Sequence, residues 1–199
     1  MPTGTTVEPI GLTGAQQPIG LIEAGQVPLL ARPFFADGDP GPIVAALAQV
    51  PELLMVAAPL LGVALSPSAI DWRTKEIVIV RTSALAGCRY CIQAHTTVAL
   101  DAGLSHDEVA ALRIEAPVED VFDSERELAL LRWIDVVARA HGPVADDDRT
   151  DIRSHFSDHE IVELTAVIGV TLLLNRFATS LALPTGPDTL RRLAQENFL

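Results

Sequence analysis

Cysteine is scarce in this chain. Of 199 residues only two are Cys, and they stand three apart. That usage excludes a disulfide-stapled secreted scaffold. Aromatic residues are scarce as well, at 5%. The interior is therefore built from Ala, Val, Leu and Ile, a composition suited to closely packed helices. Positive charge is short too: 14 Lys and Arg stand against 26 Asp and Glu, a formal net charge of -12. This argues against nucleic acid, where phosphate neutralisation supplies most of the affinity. It argues equally against an anionic membrane surface.

An uninterrupted membrane-length apolar run is also missing. Pro51, Glu52 and Pro59 break the stretch from Ile43 to Leu65, which reads as two buried helices. Asn175 and Arg176 interrupt LTAVIGVTLLLNRFATSLAL, which reads as a core or interface helix. The pair lines a site, binds an acidic partner or makes a buried structural ion pair. The opening MPTGTTVEPIGLTG has neither a basic nor an apolar leader region, so the expectation is a cytoplasmic protein. There a lone CxxC is more often catalytic or metal-binding than structural.

What is present is apolar and helical. Hydrophobic residues make up 49% and mean hydropathy is +0.32, enough for one full core. Residues 1–39, rich in Gly, Pro and Thr, read as an extended N-terminal arm lying on a partner subunit. Residues 40–199 read as one helical domain. Asp39 caps a helix over roughly residues 40–50, and Pro51 opens another that Pro59 kinks or divides. Asp71 or Ser66 precedes WRTKEIVIVRTSALAG, which runs to Gly87. Its β-branched core, EIVIV at Glu76–Val80, has helix-favouring flanks and no hairpin signal nearby, so it reads as helix. The next helix spans Cys88 to Gly103. Ser105 with Glu108, Ser124 with Glu127, and Ser157 with Glu160 fit the capping-box pattern and place starts near 106, 125 and 158. Gly142 stops the helix that Ser124 opens, and a short acidic helix runs from Asp146 to about Phe156. The fold class is all-α.

The chemistry gathers in GCRYCIQAH, Gly87–His95. At 100° per residue Cys88 and His95 fall within about 20° of each other, and Cys91 about 60° away. All three share one face at the start of a helix. The helix N-terminus and Arg89 favour a thiolate there, and His95 serves as base or imidazolium partner. Lowering a thiol pKa by ~2 units takes about 2.7 kcal/mol. Such a thiolate attacks a peroxide or a disulfide, and the second cysteine lies within bonding reach to resolve a sulfenic acid. If Gly87 turns an antiparallel helical hairpin, Glu76 mirrors position 98 and comes level with His95, placed to relay protons.

Other readings compete. Cys88, Cys91, His95 and Glu76 supply four zinc-type donors, but crowded around one helix start they make an awkward tetrahedron. Thioredoxin chemistry lacks its βαβ frame, and haem attachment needs a histidine directly after the second cysteine. Cys88 and Cys91 can also be plain core residues. His155 and His159 have metal-ligand spacing but straddle the Ser157 cap, so they read as surface; His106 and His141 sit at helix ends. No cofactor is expected.

With these residues in place the chain resembles a family. E-x11-C-x-Y-C-x3-H, from Glu76 to His95, is similar to the motif of the AhpD-like alkylhydroperoxidases within the carboxymuconolactone decarboxylase superfamily. The order helix, CxxC, helix, capped helix fits too, as does LLNRFATSLALP near the end, and the likeness covers roughly residues 40–185. The resemblance implies an all-α AhpD-like helical bundle with the CxxC at the N-terminus of a central helix, assembled as a homo-oligomer. It implies peroxidase chemistry on a small hydroperoxide. Cys91 is then the peroxidatic thiol, Cys88 the more accessible resolving one, and His95 and Glu76 the proton relay. A dithiol or lipoyl-type protein is the implied reductant. Tyr90 stands where well-known members carry a histidine. The superfamily also holds lactone decarboxylases, which generally lack the CxxC. A lyase, and a non-catalytic helical oligomer with core cysteines, are the alternatives.

Overall fold

A computed structural model describes residues 17–139 and 142–199. His141 and the first 16 residues, the outer part of the expected arm, lie outside them. The described residues hold nine α-helices and no strand: α1 Pro42–Leu47, α2 Pro51–Leu65, α3 Trp72–Leu85, α4 Arg89–Asp101, α5 His106–Leu112, α6 Glu125–Arg139, α7 Asp146–His155, α8 Asp158–Ser180 and α9 Pro187–Gln195.

EIVIV lies inside α3, the central helix. Every residue from Lys75 to Ser83 is buried, because α4, α5, α6 and α8 all pack around it. A helix enclosed on all sides needs no polar stripe, which is why its pattern shows none. α8 is long and apolar enough to cross a membrane by composition. Here it is a core helix, packed against α2, α3, α4, α6 and α7.

The caps set most starts. Asp71 accepts the Thr74 N–H at 2.7 Å. Ser105 and Ser157 form complete capping boxes with Glu108 and Glu160. α6 begins after Ser124 as expected, but the Glu127 carboxylate is turned away to Arg73. Asp39 does not cap α1. It accepts the Gly41 N–H at 2.9 Å, and Gly41 is the N-cap. Pro59 neither divides nor ends α2, which is continuous. Its missing donor falls on the exposed side, where the loss of one helical bond is least costly.

Five helices end in the same way. In each, a residue with positive φ follows the helix: Gly87, Gly103, Ile114, Ala182 and Asn197. After α3, the Gly87 N–H bonds Ala84 O and the Cys88 N–H bonds Ser83 O, the paired bonds of a Schellman turn. Gly87 adopts φ +65 without a Cβ penalty.

The inner part of the expected arm is not extended. Residues 24–26 and 29–35 form 3-10 turns, and Ala31 is buried against Leu47, Ala48 and Leu54. The segment is pinned to its own domain: Ile22 N–H donates to Ala45 O at 3.2 Å, and Gln49 Nε2 to Gly20 O at 2.7 Å.

A buried lysine fixes the end of α2. Lys75 is fully enclosed, with Nζ 2.9 Å from Ala64 O and 2.7 Å from Glu163 Oε1. It also donates to Ser66 O. The cation caps the α2 carbonyls and ties α2 to α3 and α8.

Candidate active site

The Gly87 turn delivers Cys88 as the N-cap of α4 and Cys91 to its first turn. Cys88 Sγ accepts the Cys91 N–H at 3.4 Å. The two sulfurs lie 2.6 Å apart and unbonded. Disulfide closure therefore needs no backbone rearrangement.

His95 sits one turn beyond Cys91 on the same face. Its Nδ1 lies 2.9 Å from Glu76 Oε2, and Glu76 is buried on α3. The hairpin mirror placed Glu76 close to His95, and the structure brings the two into direct contact. With Nδ1 held by the carboxylate, Nε2 is the ring nitrogen left for chemistry.

The pair is electrically unequal. The Cys88 pKa is lowered to about 6, chiefly by the hydrogen bond from the Cys91 thiol. Burial opposes this, while the Cys91 N–H and the Thr179 and Asn175 side chains support it. The Cys91 pKa is pushed well up by the neighbouring Cys88 sulfur and by burial. The thiolate favoured by a helix start thus rests on Cys88, the side chain that receives the α4 N–H.

Access also differs from the implied pattern. Cys88 is 0% exposed and Cys91 5%, so Cys88 is not the more accessible thiol. Ile19 and Leu21 pack on the cluster that holds both cysteines. The aperiodic, Gly- and Pro-rich N-terminal sequence carried no periodic signal for that cover.

Cys91, not Cys88, lines a cavity of about 180 Å³ between α2, α3, α4 and α8. Tyr90, His95, Ser83, Thr171 and Asn175 share its wall with apolar side chains such as Leu61, Leu65 and Ile79. Tyr90 has its pKa raised to about 12, first by burial and then by the two cysteines and Asp39. It is a hydrogen-bond donor rather than a base at neutral pH. Asn175 belongs to this site, not to a buried ion pair. Its Nδ2 donates to Ser83 Oγ at 3.0 Å, and Arg176 points to the exposed side. Asn175 and Thr171 become part of the site only through the packing of α8 on α3 and α4.

Fold and site define an all-helical AhpD-like protein with a cysteine pair at a helix start. The carboxymuconolactone decarboxylase family model matches residues 51–135. An Agrobacterium tumefaciens structure of a protein of unknown function, ATU0492, described with the antioxidant defence protein AhpD, is 30% identical. The match covers 71% of this chain and 95% of that one, with a TM-score of 0.64. The chain belongs to the carboxymuconolactone decarboxylase superfamily, as an AhpD-like member. Among sequence relatives, the uncharacterized Mycobacterium tuberculosis protein Rv2313c is 38% identical over 97 residues. That match spans 49% of this chain and 34% of the relative's length. The debrominase Bmp8, solved in complex with 2,3,4-tribromopyrrole as a cysteine-to-alanine variant, shares the fold at a TM-score of 0.74 and 16% identity. It covers 92% of this chain and 99% of its own.

Proposed function

We propose that the protein is a thiol-dependent peroxidase that reduces organic hydroperoxides, with Cys88 and Cys91 cycling between dithiol and disulfide. One observation carries the reading: two sulfurs 2.6 Å apart at a helix start, beside a cavity that also holds His95 with Glu76 behind it.

Cys91 faces the cavity, so it meets the peroxide. Its proton passes across to Cys88 Sγ, which leaves Cys91 as thiolate without changing the charge of the pair. Cys91 Sγ attacks the terminal oxygen of R–O–OH and the O–O bond breaks. The alkoxide takes a proton from imidazolium His95 and leaves as ROH, with Cys91 as sulfenic acid. His95 then accepts the Cys88 thiol proton. Cys88 Sγ attacks Cys91 Sγ and expels hydroxide, which takes that proton to become water. The sum is dithiol plus hydroperoxide giving disulfide, alcohol and water. A dithiol or lipoyl-type reductant restores the pair by exchange. The Glu76 carboxylate orients His95 and offsets its charge when protonated. A reducing cytoplasmic setting belongs to this reading.

The test is hydroperoxide consumption with a dithiol reductant. Wild type is expected to turn over, and Cys91→Ser and Cys88→Ser to lose turnover. Equal rates in wild type and Cys91→Ser sink the proposal.

The reading extends to self-association. Leu53, Val56, Leu60 and Val63 are all exposed on α2, at the alternating three- and four-residue spacing of a coiled-coil seam. A second copy of the chain is the proposed partner for that stripe. Sedimentation of wild type beside Leu60→Glu tests it. A monomeric wild type ends this extension.

A further inference from the structure

The cavity beside Cys91 has mostly apolar walls and two polar atoms that nothing satisfies. Asn175 is 1% exposed and Thr171 2%. Asn175 Oδ1 and Thr171 Oγ1 are both buried without a hydrogen-bond partner. The two residues stand four apart on α8, so they share one face, and both line the cavity.

Neither atom is idle for want of an ordinary partner. A helical threonine commonly donates back to the carbonyl four residues earlier. Thr96 does so to Ile92 O and Thr165 to Ile161 O, each at 2.7 Å. Thr171 does not. The Asn175 amide is oriented by its Nδ2 bond to Ser83 Oγ, which leaves Oδ1 as an acceptor. Buried polar groups left unpaired in a native fold are few, and each calls for a partner.

We propose that Asn175 and Thr171 are the polar recognition point of this cavity, binding the hydroxyl end of a compact, otherwise apolar ligand. Under the peroxidase reading, on which the identity of that ligand rests, it is the terminal O–OH of a short organic hydroperoxide. The terminal O–H donates to Asn175 Oδ1, and the Thr171 hydroxyl donates to a peroxide oxygen. The two contacts hold the peroxide group on the wall that Cys91 also lines. Ile43, Leu61, Leu65, Ile79 and Leu174 enclose the organic body. A dry apolar cavity of about 150 Å³ holds a benzene ring with room to spare, so about 180 Å³ suits a single ring with a few further carbons and a small polar head. Asn175 and Thr171 are substrate-positioning residues, and the sulfur chemistry stays with the cysteines.

The experiment uses the full reduced chain and a redox-inert probe. Binding of 2-phenylpropan-2-ol, the alcohol product of cumene hydroperoxide, is measured by calorimetry beside isopropylbenzene, the same body without the hydroxyl. Wild type is expected to bind the alcohol at least tenfold more tightly. Thr171→Val, which keeps the shape and removes the hydroxyl, is expected to lose that preference, and Thr171→Ser to restore it. The variant should melt no lower than wild type, because the hydroxyl it removes bonds nothing in the fold. Single-turnover thiol oxidation by cumene hydroperoxide should slow at least tenfold in Thr171→Val. Equal affinity for the two probes in wild type overturns the proposal. So does a Thr171→Val variant that keeps the preference, or one that melts lower. If wild type prefers the alcohol yet fails to react with cumene hydroperoxide, the recognition point stands and the peroxidase reading falls.

Discussion

Glu76 Oε2 and His95 Nδ1 meet at 2.9 Å across two helices joined by one turn. The carboxylate fixes which imidazole nitrogen is free, so its removal acts on His95 rather than on the sulfurs. Glu76→Gln keeps a polar contact and loses the charge. We expect peroxide turnover to fall by about ten- to a hundred-fold, because general acid–base help of this kind is worth ~10² or more. Steady-state kinetics should show the loss in kcat with little change in KM. An equal kcat removes Glu76 from the relay.

One thiolate per chain should titrate well below the ordinary cysteine range. Followed by thiolate absorbance, the midpoint is expected near the value of about 6 set at Cys88. The thiolate grows as pH rises and is lost as pH falls through that midpoint, so it is the favoured form at pH 7. The Cys91 thiol is the largest cause of the lowering, so Cys91→Ala should move the midpoint up. A single midpoint near 8.5 in both proteins contradicts the assignment.

Cover over the pair should govern thiol access. Ile19 and Leu21 pack on the cysteine cluster, and the segment is held by Gln49 and by the Ala45 carbonyl. Leu21→Asp places a charge where an apolar side chain packs, an unfavourable burial that opens the segment. Alkylation by iodoacetamide is expected to speed up severalfold, with helix content by circular dichroism unchanged. Unaltered alkylation means the cysteines are reached by another route.

Lys75 tests how firmly α2 is held. Lys75→Met leaves the Ala64 and Ser66 carbonyls without their cation and Glu163 without its buried partner. Breaking such a pair costs roughly 3–5 kcal/mol, on the order of 10 °C in Tm for a chain of this size. Calorimetry gives the answer directly.

Much of this was legible in the sequence, and the limits have physical causes. Asp71, Ser105 and Ser157 announce their helices because capping is local chemistry. The grouping of Cys91 and His95 follows from helical period, and Glu76 from the glycine turn; Cys88, expected on the same helical face, is instead the non-helical N-cap of α4 and stays off the cavity wall. The helix stops at Ile114 and Ala182 carry neither glycine nor asparagine, so no residue that favours a left-handed cap marks them. The burial of Lys75 has no local cause: two carbonyls and a carboxylate from other helices and their ends converge on it. Asn175 was visible as an interruption in an apolar helix. Thr171 was not, since a threonine in a helix is ordinary until its hydroxyl is found unpaired. The cover over Cys88 depends on tertiary contacts that no spacing encodes.

Cys88 closes the turn after α3 through its backbone N–H and starts α4 through its sulfur. Fold and chemistry therefore share a single joint. One residue inserted between Gly87 and Cys91 would swing the rest of α4 by about 100° and carry His95 away from Glu76. The motif can change its letters at Arg89 and Tyr90, whose side chains make neither of these bonds, but not its length. Variation in this lineage should therefore appear there as substitution, with insertions and deletions confined to loops that bear no thiol.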